Sequence, residues 1–363
     1  MPCAATNKAR QRMTDDLRER YFDLPASDQA DLLQSLAPVM GRRAEILEKD
    51  IWLCQVLDTL FQLPCRKPMA FKGGTSLSKV YKAIDRFSED IDVTVDYRSL
   101  VTDAPELEAI SSNSARGKLS DALKAALAQH VKDELVPALR AALALALPTQ
   151  PTSIEVSADA EKLWVYYPSA VENTDTYMRS SILIEFGGRN STLPQSTLAI
   201  APDVAVHVPG LALPTAQVSV LSAARTFWEK ATLIHVECHR PGLKPSAQRL
   251  SRHWYDLARL ADHELGQQAL QDMDLLRDVL RIKETFYRSG FSHYDRCAKG
   301  GLKLIPEASM LEALRLDYQA MLTAQMFYGD TVSFEAIVER LVALELEINR
   351  TTKEKARSSI KHS

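Results

Sequence analysis

An α+β fold is predicted from three patterns that follow one another along the 363-residue chain: helical apolar spacing to about residue 63, short alternating runs from 151 to 210, and helical spacing again beyond Ser219. The length exceeds one comfortable core. An N-terminal helical segment (1–68), a core (69–215), a C-terminal helical domain (216–350) and a flexible, basic tail (351–363) are therefore expected.

Residues 14 to 63 read as helices; in "RRAEILEKDIWLCQVLDTLFQL", Ile46, Ile51, Trp52, Val56, Leu60 and Phe61 approximate the 3.6-residue period of a buried stripe. The next helix is expected over "GGTSLSKVYKAIDRF", where Leu77, Val80, Tyr81, Ile84 and Phe87 share a face. An insertion at about 104–148 is rich in Ala and Leu and is expected to form two helices interrupted at Pro137. The runs "IEVSA", "KLWVYYP", "SSILIEFGG" and "DVAVHVP" read as strands, being short, β-prone and separated by Pro, Gly, Asn and Ser. Further on, Pro241, Gly242 and Pro245 mark one break in the helical region and Gly300–Gly301 another.

A formal charge of −3 gives no global basic footprint, so any nucleic-acid contact must come from local clusters. The five cysteines are odd in number, widely spaced and without a CxxC, which fits reduced thiols in a cytoplasmic protein. No apolar run reaches the roughly 20 residues of a membrane span, so no membrane partner is expected.

The chemistry concentrates in "FKGGTSLSKVYKAIDRFSEDIDV". Gly73, Gly74, Thr75 and Ser76 sit where a helix should begin, and such a turn suits either a phosphate or an ordinary N-cap. In "DIDVTVD", Asp90, Asp92 and Asp96 alternate with apolar residues, which places them on one face of a half-buried strand. Like charges so close oppose folding unless water or cations compensate them. Hard carboxylate oxygens suit Mg²⁺, and a pair of such ions about 3.5–4 Å apart can activate an attacking oxygen and stabilise a leaving phosphate. A solvated edge strand is the plainer alternative.

"FKGGTSLSK" followed by "RFSEDIDV" resembles the AbiEii/AbiGii toxin family of nucleotidyltransferases, which includes MenT-like toxins and lies within the DNA polymerase β-like superfamily. "EKDIWLCQVLDTLF", "FWEK", "RHWYDLARL" and "MFYGDTVSFEAIVERLVALELEIN" extend the similarity over most of 45–350, although the 15 residues between Gly74 and Asp90 are long for the superfamily. The resemblance implies a polymerase-β-like core with a mixed sheet, Mg²⁺ or Mn²⁺ as cofactor and NTP as substrate. It implies tRNA as acceptor and a cognate antitoxin as partner, in a toxin–antitoxin or phage-defence (abortive infection) system. AMP transfer to a protein hydroxyl and a non-catalytic nucleotide- or RNA-binding module are the alternatives.

Such sites take a third carboxylate from a neighbouring strand, and Glu185, the only acid in "SILIEFGG", is assigned as that metal ligand beside Asp90 and Asp92. Pairing with Arg189 is its alternative. Asp96, farther along, is expected to face solvent. By resemblance Lys230 contacts nucleotide phosphate and Asp256 helps organise the site, whereas a helical ion pair with Arg252 or Arg259 would be the ordinary role of Asp256. Lys72 and Lys79 are weaker electrostatic candidates. His235 and His239, at i and i+4 beside Cys238, are read as a solvated pair and not as a zinc site, since "HVECH" lacks the HExxH pattern. Arg240, Lys244, Arg249 and Arg252 form a basic turn that reads either as an ordinary solvated turn or as a seat for an RNA backbone, and Ser88 reads either as an unmodified cap of its turn or as a site where a phosphate would repel NTP.

Overall fold

The computed structural model describes residues 18–172, 179–242 and 249–360, with side chains to 354. Two helices open it, α1 (Ala26–Met40) and α2 (Ala44–Gln62). The stripe expected on α2 is buried throughout, and its other faces are buried too, because α2 packs against both α1 and the sheet.

The sheet has seven strands: β1 (Met69–Lys72), β2 (Ile91–Asp96), β3 (Ser153–Val156), β4 (Lys162–Tyr166), β5 (Ser181–Asn190), β6 (Gln195–Ile200) and β7 (Ala216–Leu221). Their order is β3-β4-β5-β2-β1-β7-β6. It is a mixed sheet: β2 runs parallel to β5 and antiparallel to β1, and β1 runs parallel to β7. β7 carries the sheet to Leu221, past the limit expected at 215. "DVAVHVP" is not a strand; Asp203–Val206 forms a 3-10 turn whose Asp203 pairs with Arg42 and Lys82.

Between β1 and β2 the expected helix is cut short, for α3 spans only Gly73–Lys79. Lys82 takes a positive φ of 49°, and the apolar residues that mimic a helical face instead reach different neighbours. Ala83 and Ile84 join the C-terminal helices, while Phe87 packs with Ile46, Met321 and Met326. Backbone bonds from Phe87 N to Met326 O (2.7 Å) and Tyr328 N to Asp85 O (2.9 Å) fix this loop to the C-terminal region.

The insertion is a single rod, α4 (Asn113–His130) and α5 (Val136–Ala146) joined by a wide π turn at Val131–Leu135. Pro137, which has no N–H to donate, is absorbed at the first turn of α5 and does not break the helix. Six longer helices follow among the described residues: α6 (Ala223–His239), α7 (Arg252–Asp262), α8 (Glu264–Gln271), α9 (Met273–Phe286), α10 (Ala308–Thr323) and α11 (Phe334–Ile360), with a single helical turn at Tyr294–Cys297 between α9 and α10. The last runs into the segment expected as a flexible tail. One apolar cluster joins the sheet to α2, α4 and α5, and a second lies within α6–α11. The candidate site opens where these two bodies of packing meet. Among the described residues no helix is long and apolar enough to cross a membrane.

Candidate active site

Asp90, just before β2, and Asp92 on it line a cleft of about 190 Å³ together with Lys72, Gly73, Gly74, Arg86, Ser88, Glu185, Glu229, Lys230, Arg252 and Lys283. The alternation read from the sequence puts both carboxylates on the cleft side. Glu185 is brought to them by sheet register: it lies opposite Asp92 across the parallel pair β2/β5. Residues directly opposite share a face, so the two carboxylates stand in one row. Glu185 bonds not to Arg189 but to Lys162 Nζ, at 2.7 Å, and Arg189 lies 3.8 Å from Glu161.

This crowding has an electrostatic cost. Burial, with Glu185 and Asp90 adding to it against the opposing charge of Lys72, raises the Asp92 carboxyl from 3.8 to about 6. Asp90 is raised by burial and then by Glu89, with Arg252 opposing. Hard oxygens held close against their own repulsion fit a divalent cation. Among the described residues no three potential ligands already enclose a metal position, and Glu185 is turned to Lys162.

The glycine turn packs directly on this acidic row. Gly73 has φ +81°, and a Cβ there would lie 2.0 Å from Asp92 Oδ2; a Cβ on Gly74 would lie 2.5 Å from an Arg86 nitrogen. Both positions need glycine for close approach. Thr75 and Ser76 are fully buried and do not line the cleft. Thr75 Oγ1 donates to the Asp90 carbonyl (2.6 Å) and lies 2.8 Å from Ser88 Oγ, whereas Ser76 donates to the Gly73 carbonyl (3.0 Å). These hydroxyls tie the turn to the strand that bears the carboxylates.

Lys230 and Asp256 do meet, at 2.7 Å, but Asp256 is bonded to neither Arg252 nor Arg259. Its second partner is Arg86, which grips it through two bonds of 2.6 and 2.8 Å. Burial would raise the Asp256 carboxyl, but the charges of Arg86 and Lys230 outweigh it and hold that carboxyl far below the usual range. Beside Lys230 on α6, Glu229 pairs with Lys72 at 3.0 Å, accepts from Asn190 (2.7 Å) and lies 3.4 Å from Arg225 Nε. Lys283 lies near the same carboxylate, with its ammonium 4.8 Å from the Tyr287 ring.

Arg86, Glu229 and Lys283 were not singled out from the sequence. Arg86 and Glu229 do lie inside quoted stretches, "RFSEDIDV" and "FWEK"; Lys283 carries no local signal. Lys79 lies outside this cleft lining, buried in ion pairs with Asp50 and Asp203. Asp96 does not face solvent: it is buried and accepts from Arg98 N and from Thr192. Nor are His235 and His239 a solvated pair, since His235 is fully buried and its Nδ1 accepts from Lys303 N at 2.9 Å. In the basic turn, Arg252 lines the cleft, Arg249 lies 3.3 Å from Glu89 and Arg240 binds Glu237, while Lys244 lies outside the described residues.

A family model described as the nucleotidyl transferase AbiEii toxin of type IV toxin–antitoxin systems matches residues 55–340. The chain belongs to this family. It is thus a nucleotidyltransferase toxin, and membership in the AbiEii family implies an NTP substrate and an antitoxin partner. Among solved structures it is similar to the MenT4 nucleotidyltransferase toxin of Mycobacterium tuberculosis, with 18% identity, a TM-score of 0.42, and coverage of 91% of this chain and 99% of that one. No curated protein sequence matches it.

Proposed function

We propose that the cleft transfers a nucleoside monophosphate from an NTP to an acceptor hydroxyl, with tRNA as the acceptor and Mg²⁺ or Mn²⁺ held by Asp90, Asp92 and Glu185. The observation that carries this reading is the charge arrangement: Asp90, Asp92 and Glu185 line one cleft with Lys72, Arg86, Lys230, Arg252 and Lys283, and two of these cations, Arg86 and Lys230, share the buried carboxylate of Asp256. When bound, the divalent ion would supply positive charge at the reacting phosphate and lower the pKa of the attacking hydroxyl. In the transfer, the acceptor hydroxyl releases its proton to solvent, its oxygen forms a bond to the α-phosphorus, the bond from that phosphorus to the bridging oxygen breaks, and pyrophosphate leaves with the bond's electron pair.

The chain's own groups position and neutralise. Gly73 and Gly74, whose missing side chains admit Asp92 and Arg86, set the turn that would receive the triphosphate directly against the acidic row. Lys230, oriented by Asp256, and Lys72, oriented by Glu229, supply point charges. Arg252, and Arg249 near it, place guanidinium groups where an RNA backbone would enter. The test is to incubate the protein with α-labelled NTPs, Mg²⁺ and total tRNA. Label is expected in tRNA with wild type and absent with Asp90→Ala; label in protein would favour AMP transfer instead, and equal labelling by both enzymes would remove the carboxylates from the mechanism.

Lys283 gives this reading a pH signature. Burial, followed by the charge of Lys72 and Arg225 against that of Glu229, pushes its ammonium down from 10.5 to about 8. A lowered lysine pKa means that charge is lost as pH rises through that value. NTP affinity is therefore expected to weaken up to about tenfold from pH 7 to pH 9 in wild type. In Lys283→Met it should be weak at both pH values, measured by calorimetry with a non-hydrolysable NTP; a flat wild-type profile would place Lys283 away from the phosphates.

A further inference from the structure

The register that aligns the carboxylates extends one strand further than the metal reading requires, and there it meets a lysine. Across β2, β5 and β4, Asp92 lies opposite Glu185, and Glu185 lies opposite Lys162. Residues in register point to the same face, so a lysine ammonium stands at the end of a line of acids. Lys162 Nζ holds Glu185 Oε1 at 2.7 Å and also feels the charge of Asp90. Its backbone is pinned: the N–H donates to Ser157 Oγ (3.0 Å), and the carbonyl accepts from Ser157 N (2.9 Å). The side chain is different. It is 49% exposed and its ion pair is with Glu185, so the flexible four-carbon stem can swing away without opening a core.

We propose that Lys162 is a tethered counter-cation for the acidic row: its ammonium occupies Glu185 in the metal-free protein, must leave when a divalent cation takes that carboxylate, and so sets the metal affinity of the site. This rests on the reading of Asp90, Asp92 and Glu185 as metal ligands. Lys162 is a positioning residue here, acting through Glu185 with no part in the bond changes. A partly exposed ion pair is weak, and this is what makes the device workable, because a metal can displace the lysine at small cost.

The probe is Mn²⁺ alone, titrated into full-length protein without nucleotide and followed by electron paramagnetic resonance or calorimetry. Working in 0.3 M KCl screens distant charges, leaving contact effects. Lys162→Met is expected to tighten Mn²⁺ binding about three- to tenfold, from release of the carboxylate and loss of a like charge. Lys162→Arg, which keeps both the charge and the pairing, should stay within about twofold of wild type. Mn²⁺ affinity unchanged in Lys162→Met, or raised equally in Lys162→Met and Lys162→Arg, overturns the proposal. Asp92→Asn separates the two levels of inference. If it abolishes Mn²⁺ binding while Lys162→Met changes nothing, only the counter-cation role fails; if it leaves binding intact, the metal reading fails and this proposal with it.

Discussion

Asp92→Asn is expected to lose transfer by about 10³-fold or more while yielding a metal-free protein that melts a few degrees above wild type. The first effect follows from removing a charged ligand where charge develops at phosphorus; electrostatic stabilisation of that kind supplies about 3–4 kcal/mol. The second follows from the proton balance. The folded Asp92 carboxyl titrates near 6 instead of 3.8, so between those values the folded state binds more protons than the unfolded chain and stability falls as pH rises. Above pH 6 the full penalty stands. A two-unit shift corresponds to about 3 kcal/mol, and partial solvent contact at the cleft reduces the usable part to roughly 1–2 kcal/mol.

Asparagine keeps the shape and removes the charge, so the penalty disappears. Thermal melts in EDTA at pH 7.5 should show the variant ahead, with the gap closing towards pH 4. Adding Mg²⁺ should raise the wild-type midpoint and leave the variant where it was. A wild type that is the more stable of the two in EDTA would mean that the acidic row is already compensated, and that it need not be a cation site.

The parts of this arrangement visible in the sequence are those governed by local period. Alternation in "DIDVTVD" placed Asp90 and Asp92 on one face, and an acid within "SILIEFGG" marked Glu185. The same rule fails at Asp96 because the β2/β5 register shifts between Thr94 and Asp96, and the irregularity carries that side chain into contacts with Arg98 and Thr192. Helical spacing misled over 80–87, where apolar residues three and four apart serve separate tertiary contacts. Charges whose partners are remote in sequence were not legible at all. Arg86 and Asp256 are 170 positions apart, and Lys72 and Glu229 are 157 apart. Either pair, read locally, looks like a solvated face.

Those remote pairs also carry the largest expected change in stability. Asp256 is fully buried, bonded to Arg86 at 2.6 and 2.8 Å and to Lys230 at 2.7 Å, and both cations are themselves buried. Asp256→Ala leaves two buried positive charges facing each other without a counter-ion, which costs about 3–5 kcal/mol. The midpoint in urea should drop accordingly, and the loss should be greatest at neutral pH. Because its carboxyl is held below the unfolded value, the Asp256 contribution is complete above about pH 4 and fades as pH falls further.

Inactivity of this variant alone would say nothing about catalysis. Replacing the trio together, as Arg86→Met, Lys230→Leu and Asp256→Leu, removes all three of these charges at once and should recover most of the lost stability, since apolar groups of similar volume commonly match a buried ion network. That protein should fold and still fail to transfer, with weakened NTP binding from the loss of Lys230. If it folds and retains wild-type transfer, the ion network is scaffold, and Lys230 has no place at the triphosphate.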